Sequence, residues 1–165
     1  MITIKIKTFG DMKIPQIISK GDWIDLRANE SMTFSEPKYT KKDGLKLDSK
    51  LIPLGVVMKL PEGYEAILVP RSSTFKKTGL LQTNSIGVID STYCGDNDEW
   101  KFPVVATKDV LISEGMKICQ FRIQLSQKAT FWQKLKWLFS SSINIINVDS
   151  LQEEDRGGFG STGGY

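Results

Sequence analysis

The 165 residues of this chain include no histidine. That absence excludes Ser–His–Asp and Cys–His machinery, His-ligated zinc and imidazole acid–base chemistry. Cysteine is scarce as well, with Cys94 and Cys119 far apart and no CxxC spacing. A reduced cytoplasmic thiol pair is the default for such usage. No apolar run approaches the ~18 residues of a membrane span, and "MITIKIKTFG" lacks the basic start and apolar block of a secretory leader. The expectation is a cytoplasmic protein. A net charge of +3 is too weak to argue for a nucleic-acid partner. Any enzyme chemistry here must come from carboxylates, arginine, hydroxyls and backbone groups.

What is present fits one globular domain: 40% apolar and 25% charged residues over a length that supports a sizeable core. "ITIKIK" (2–7) alternates strictly, apolar at even positions, as a half-buried strand does. Short apolar segments follow, namely "WIDLRA", "LKL", "LIPLGVVMKL", "YEAILVP", "SIGVI", "KFPVVAT" and "ICQFRIQL". Turn residues at 42–44, 61–63 and 114–115 separate several of them. Many short strands with little helix between them predict an all-β sandwich or barrel. One segment departs from this pattern. In "ATFWQKLKWLFSSS" (129–142), Phe131, Trp132, Leu135, Leu138 and Phe139 fall on one helical face, with Trp137 off the stripe. "INIINV" (143–148) then resumes β character. The last nine residues, "GGFGSTGGY", hold five glycines and read as a mobile tail.

Three polar constellations stand out. "PRSST" (70–74) follows the apolar strand "AILV", so Arg71, Ser72 and Ser73 offer donors where the chain leaves the sheet. Such a group binds a phosphate or carboxylate, or is a surface turn with a paired arginine. "NSIGVIDSTYCGD" (84–96) reads as a strand that opens. Pleat alternation puts Asp90 on the side of Ile86 and Val88, with Tyr93 turning back as a flat wall. A carboxylate at an apolar rim has a raised pKa, suiting a general base, unless a cation or donors stabilise its charge. The alternative is a solvent-facing Asp in an Asx turn. "DRGGFGSTGG" (155–164) sets Arg156 before glycines whose N–H groups can approach an anion, with Phe159, Ser161 and Thr162 among them. It is no Walker A loop, and "DNDEW" (96–100) is no calcium loop; a turn is expected there.

Together these pieces resemble the trimeric dUTP diphosphatase (dUTPase) family, phage and Gram-positive bacterial type. "GDWIDLRA" (21–28), "PRSS" (70–73), "NSIGVIDSTYCGD" (84–96), "GMKICQ" (115–120) and "RGGFGSTG" (156–163) resemble its five motifs in order. The resemblance implies a distorted jelly-roll β-barrel over 1–152, with 129–142 as a helical insertion. It also implies a flexible glycine-rich arm over 153–165 and a homotrimer with sites at subunit interfaces. The implied reaction is hydrolysis of dUTP to dUMP and diphosphate, which limits uracil in DNA and supplies dUMP for dTMP synthesis. Asp90 would activate the water that attacks the α-phosphorus. Tyr93 would stack on deoxyribose, leaving no room for a 2′-hydroxyl, while Asn84 and the backbone of Gly87, Val88 and Ile89 would line the uracil pocket. Arg71, Ser72, Ser73 and Gln120 would hold phosphates. Phe159 would cap the uracil, with Arg156, Gly160, Ser161 and Thr162 at the β- and γ-phosphates. Magnesium is the implied cofactor, bound mainly through phosphates and waters. Asp25 either helps through a metal-bound water or pairs with an arginine.

The chain departs from the family in three places. Arg156 stands two residues closer to its GGF triplet. "DNDEW" replaces the usual continuation after Gly95 and puts Trp100 near the pocket, where it could share the capping role. Segment 129–142 is inserted between the fourth and fifth motifs. The alternatives are a dCTP deaminase of the same fold, or an interaction protein on this scaffold using 129–142. The apolar face of that segment is expected to pack on its own barrel or a trimer partner, with a protein or membrane contact as the other outcomes.

Overall fold

The computed structural model describes residues 1–17, 21–139 and 142–159. In chain order the first half has β1 (Ile2–Thr8), β2 (Ile24–Arg27), β3 (Met32–Phe34), β4 (Lys38–Thr40), β5 (Gly44–Lys46), β6 (Ser49–Pro53), β7 (Val56–Lys59) and β8 (Tyr64–Pro70). After α1 (Thr74–Thr78) come β9 (Leu80–Gln82), β10 (Gly87–Asp90), β11 (Lys101–Ala106), β12 (Val110–Ile112) and β13 (Lys117–Leu125). Helix α2 (Phe131–Phe139) and strand β14 (Ile143–Asn147) complete the order. This is the all-β, distorted jelly-roll architecture expected from the strand pattern, with two short helices.

The strands form small sheets wrapped around one core. β1 lies between β14, which runs parallel to it, and antiparallel β7. Its alternation is realised as expected, with Ile2, Ile4 and Ile6 buried and Lys5 exposed. The sheet that matters for the site has the order β10-β8-β13-β2. Its inward residues include Ala66, Leu68, Cys119, Phe121 and Ile123, all buried. Trp100 meets Phe121 edge to face at 5.3 Å in the middle of the molecule. Both cysteines are free and buried, and burial raises both thiols, Cys119 strongly.

The apolar face of helix α2 does not pack on its own barrel, which leaves a trimer partner, another protein or a membrane as its expected cover. None of its residues is buried, and its apolar stripe faces outward except at half-buried Leu135: Phe131, Trp132, Leu138 and Phe139 are 70–80% exposed. The helix is moored by its opposite edge. Gln133 donates to the Glu62 carbonyl at 2.9 Å, in space left by the missing side chain of Gly63. Trp137, predicted to lie off the stripe, packs on Tyr64 at 5.7 Å. The mooring wins because the β7–β8 turn offers a backbone acceptor and an aromatic ring at this spacing.

Candidate active site

β10 is the outer strand of its sheet, paired only with β8 among the described residues. Its outer backbone groups therefore stand outside any ladder and face a cleft. A Cβ on Gly87 would meet Leu68 Cβ at 3.1 Å, so the close packing of β10 on β8 suits a glycine here. The cleft holds about 300 Å³ and is lined by Leu68, Asn84, Gly87, Val88, Ile89, Asp90, Tyr93, Trp100, Lys101 and Arg156–Phe159. The predicted uracil-side residues are thus brought together. Trp100 forms buried floor, at 0% exposure, and so cannot act as a cap like Phe159. Phe159 lies at the mouth, 56% exposed, with a left-handed φ of 53° that an aromatic residue rarely adopts. Gly160, Ser161 and Thr162 lie outside the described residues.

Asp90 closes β10 at the rim. Its carbonyl accepts from Tyr93 N–H at 3.1 Å, forming the tight turn, and its carboxylate accepts from Thr92 N–H at 3.3 Å and from the Thr92 hydroxyl. The Asx turn is therefore real, and it coexists with a position on the cleft. Val88 and Asp90 share the outward face as the pleat requires, whereas Ile86 lies outside the strand. Arg156 Nη1 donates to Asp90 Oδ1 at 2.6 Å. Burial pushes the Asp90 carboxyl up, but donation from Thr92 and Arg156 outweighs it and leaves the group below its usual value. Tyr93 donates to the Glu99 carbonyl at 3.1 Å; burial, then Asp98, Glu99 and Asp155, raise its phenol.

The second group of predicted residues sits elsewhere. Arg71 leaves the end of β8, where its N–H donates to the buried Thr74 hydroxyl at 3.0 Å, which in turn donates to the Ile118 carbonyl at 2.7 Å. Arg71 Nε donates to Asp25 Oδ1 at 2.7 Å, and Lys117 binds Asp25 Oδ2 at 2.9 Å. Of the two roles open to Asp25, arginine pairing is the one seen. Desolvation raises its carboxyl, yet Lys117 and Arg71 hold it below the usual range. Gln120 faces Asp25 and Val69 across the sheet and donates to the Pro70 carbonyl at 3.3 Å. Ser72 is exposed and Ser73 half-buried at the start of α1. Asp90 pairs with Glu65 at the other end of β8, six residues before Arg71, which is about 20 Å of extended chain. One chain does not bring the two groups together.

The described residues contain no cluster of three carboxylates or cysteines that would cage a metal, and both Asp25 oxygens already receive cations. The residues present thus fit a magnesium ion that arrives with a triphosphate better than a resident one.

Comparison with known proteins decides the family. A family model described as dUTPase matches residues 25–163. The chain belongs to the dUTPase family. It is 50% identical over 146 residues to the SPbeta prophage-derived deoxyuridine 5′-triphosphate nucleotidohydrolase of Bacillus subtilis (strain 168), covering 88% of this chain and 87% of that relative. It is 34% identical over 165 residues to the deoxyuridine 5′-triphosphate nucleotidohydrolase of Finegoldia magna, covering 97% and 98%. The dUTPase fold is shared with the Streptococcus mutans dUTPase crystal structure at a TM-score of 0.63 and 21% identity, over 76% of this chain and 98% of that one. A mutant dUTPase from phage phi11 of S. aureus, whose structure details a structural Mg(II) ion, aligns with a TM-score of 0.61 and 16% identity, over 78% of this chain and 94% of that one.

Sequence reasoning missed two residues at these sites. Lys117, beside Asp25 in the second group, lay within the fourth quoted motif but was not singled out there. Asp98, 2% exposed, had no such signal. Its carboxylate accepts from Arg156 N–H and Gly157 N–H, both at 2.8 Å, which ties the start of the tail to the barrel.

Proposed function

We propose that this chain is a dUTP diphosphatase that releases dUMP and diphosphate at sites completed between copies of itself in a homotrimer. The observation that carries the proposal is the cleft along β10, where edge-strand backbone, an aromatic wall and a carboxylate converge on one nucleotide-sized space. Backbone donors and acceptors of Gly87, Val88 and Ile89, with Asn84, match uracil; cytosine would leave buried polar groups unpaired. Tyr93 stacks on deoxyribose and leaves no space for a 2′-hydroxyl.

Asp90 accepts the proton of the attacking water as its oxygen bonds to the α-phosphorus, and diphosphate leaves on the opposite side. For this to happen Arg156 must release Asp90 and turn to the phosphates, where Gly160, Ser161 and Thr162 join it. Arg71, Ser72, Ser73 and Gln120 serve the phosphates from another copy. This assignment is supported by the length of β8 that separates them from Asp90. Magnesium, carried in by the triphosphate, supplies charge neutralisation between its phosphates. Residues 1–152 act as the barrel and 153–165 as the arm, with Phe159 closing over the base and excluding bulk water. The chemistry suits a cytoplasmic enzyme.

The outward face of α2 favours a second role that leaves catalysis intact: contact with a protein partner or a membrane surface through Phe131, Trp132, Leu138 and Phe139. Diphosphate release measured across dUTP, dCTP, dTTP and UTP, with and without magnesium, tests the main proposal. Selective release from dUTP supports it. Deamination of dCTP in its place overturns it.

A further inference from the structure

Gln82 ends β9, two residues before Asn84 and outside the five motifs. Its half-buried side chain turns from β9 towards β8, where Nε2 donates to the Leu68 carbonyl at 3.2 Å. The same nitrogen donates to Asn84 Oδ1 at 2.8 Å. It comes within 3.6 Å of the place a Cβ on Gly87 would take, so the bare backbone at the start of β10 leaves it room. Leu68, Asn84 and Gly87 all line the cleft, and these contacts therefore run along its wall. The link from Asn84 to β10 is tight: Ile86 N–H donates to the Asn84 carbonyl at 2.5 Å, with Ser85 between them at a left-handed φ of 58°.

A carboxamide has a donor end and an acceptor end, and a half-turn exchanges them with little change of shape. Here a backbone carbonyl decides which end goes where. The Leu68 oxygen can only accept, so Gln82 brings its NH2 to it; the reverse orientation would set two acceptors against each other. One consequence is that Gln82 Oε1 is buried without a hydrogen-bond partner among the described residues. The second hydrogen of the Gln82 NH2 then takes the oxygen end of Asn84. That leaves Asn84 Nδ2 as the end free for a ligand, and no described residue accepts from it.

We propose that Gln82 is a positioning residue that holds the Asn84 carboxamide with its donor towards the base, and so sets the preference for uracil over cytosine. A donor at this place matches a ring carbonyl and opposes an exocyclic amino group. Released from Gln82, Asn84 can make a half-turn, offer Oδ1 to the amino group and accommodate cytosine. The inference rests on the reading of the cleft as a uracil site, and adds to it the polarity that β8 imposes through Gln82.

The test is calorimetric binding of the α,β-imido analogues of dUTP and dCTP, which cannot release diphosphate, to the full-length protein with magnesium. Gln82→Met keeps the bulk and removes both donor hydrogens, and the preference for the uracil analogue is expected to fall roughly 10-fold. Gln82→Glu keeps the shape and reverses the polarity. Ionised, it has no hydrogen to give; protonated, its one hydrogen goes to the Leu68 carbonyl. In either state Asn84 turns its NH2 to position 82 and shows Oδ1 to the base, so the preference is expected to fall further than in Gln82→Met. A side chain needed only for packing would weaken both analogues alike. An unchanged ratio in both variants overturns the proposal, whatever their melting temperatures. In an Asn84→Ala background neither change at position 82 should move the ratio; a ratio that still moves shows that Gln82 does not act through Asn84 and overturns the proposal as well. A parent protein that binds both analogues equally would instead sink the uracil reading of the cleft, a result distinct from a selective parent with indifferent variants.

Discussion

Burial and hydrogen bonding act on the Asp90 carboxyl in opposite directions, and the donors prevail. Its folded pKa lies below the unfolded value, so it contributes stability above the unfolded pKa and loses it as pH falls through the folded one. The same sign holds for Asp25 with Lys117 and Arg71. In kcat/KM for dUTP, Asp90 is therefore expected to be ionised across the neutral range, with its acid limb displaced to lower pH than an ordinary aspartate would give. Arg156→Gln removes a donor to the carboxylate, and the limb is expected to move to higher pH; a limb that stays put would assign it to another group. Asp90→Asn should keep dUTP binding and lower kcat by ~10²–10⁴-fold. Near-normal turnover would remove Asp90 as the base. At this scale the sequence showed which residue types gather, but not their pairing. Asp25 with Arg71, and Asp90 with Arg156, join residues 46 and 66 positions apart, which no local pattern reveals.

Secondary-structure elements were legible where period and burial agree. β1, β8 and β13 alternate against a single core and were read with boundaries close to those seen. The three-residue strands β3, β4, β9 and β12 carry too few residues to show a period, and α1 is one turn closed by Gly79 in the left-handed conformation, with φ 70°. Helix α2 was legible as a helix but not in its orientation. Its stripe was expected against the barrel or a trimer partner; on the barrel side a glutamine and a tryptophan off the stripe moor it instead. Changing Phe131, Trp132, Leu138 and Phe139 together to serine should leave the melting temperature of the isolated chain nearly unchanged, since exposed positions usually shift stability by under ~0.5 kcal/mol. Trp137→Ala should lower it measurably. Phe121→Ala, which removes the partner of Trp100 in the core, should cost about 3–5 kcal/mol in chemical denaturation.

At the scale of the whole molecule, five motifs spread over most of the chain fall into two groups that one chain holds apart. Antiparallel pairing sends Asp90 to one end of β8 and Arg71 to the other, so the proposed homotrimer would have to reunite them between copies. Mixing Arg71→Ala chains with Asp90→Asn chains should restore activity at roughly a quarter of the sites in random trimers. Absence of any recovery would place both residues at a site within one chain.

The parallel pairing of β1 with β14 also bears on biogenesis. β1 is synthesised well before it can acquire both neighbours, because Ile2 waits for Ile143 and Ile6 for Asn147. Until then an Ile-rich ribbon has an open side, so nascent chains arrested short of residue 143 should be captured by hydrophobic-surface chaperones, and completed ones released.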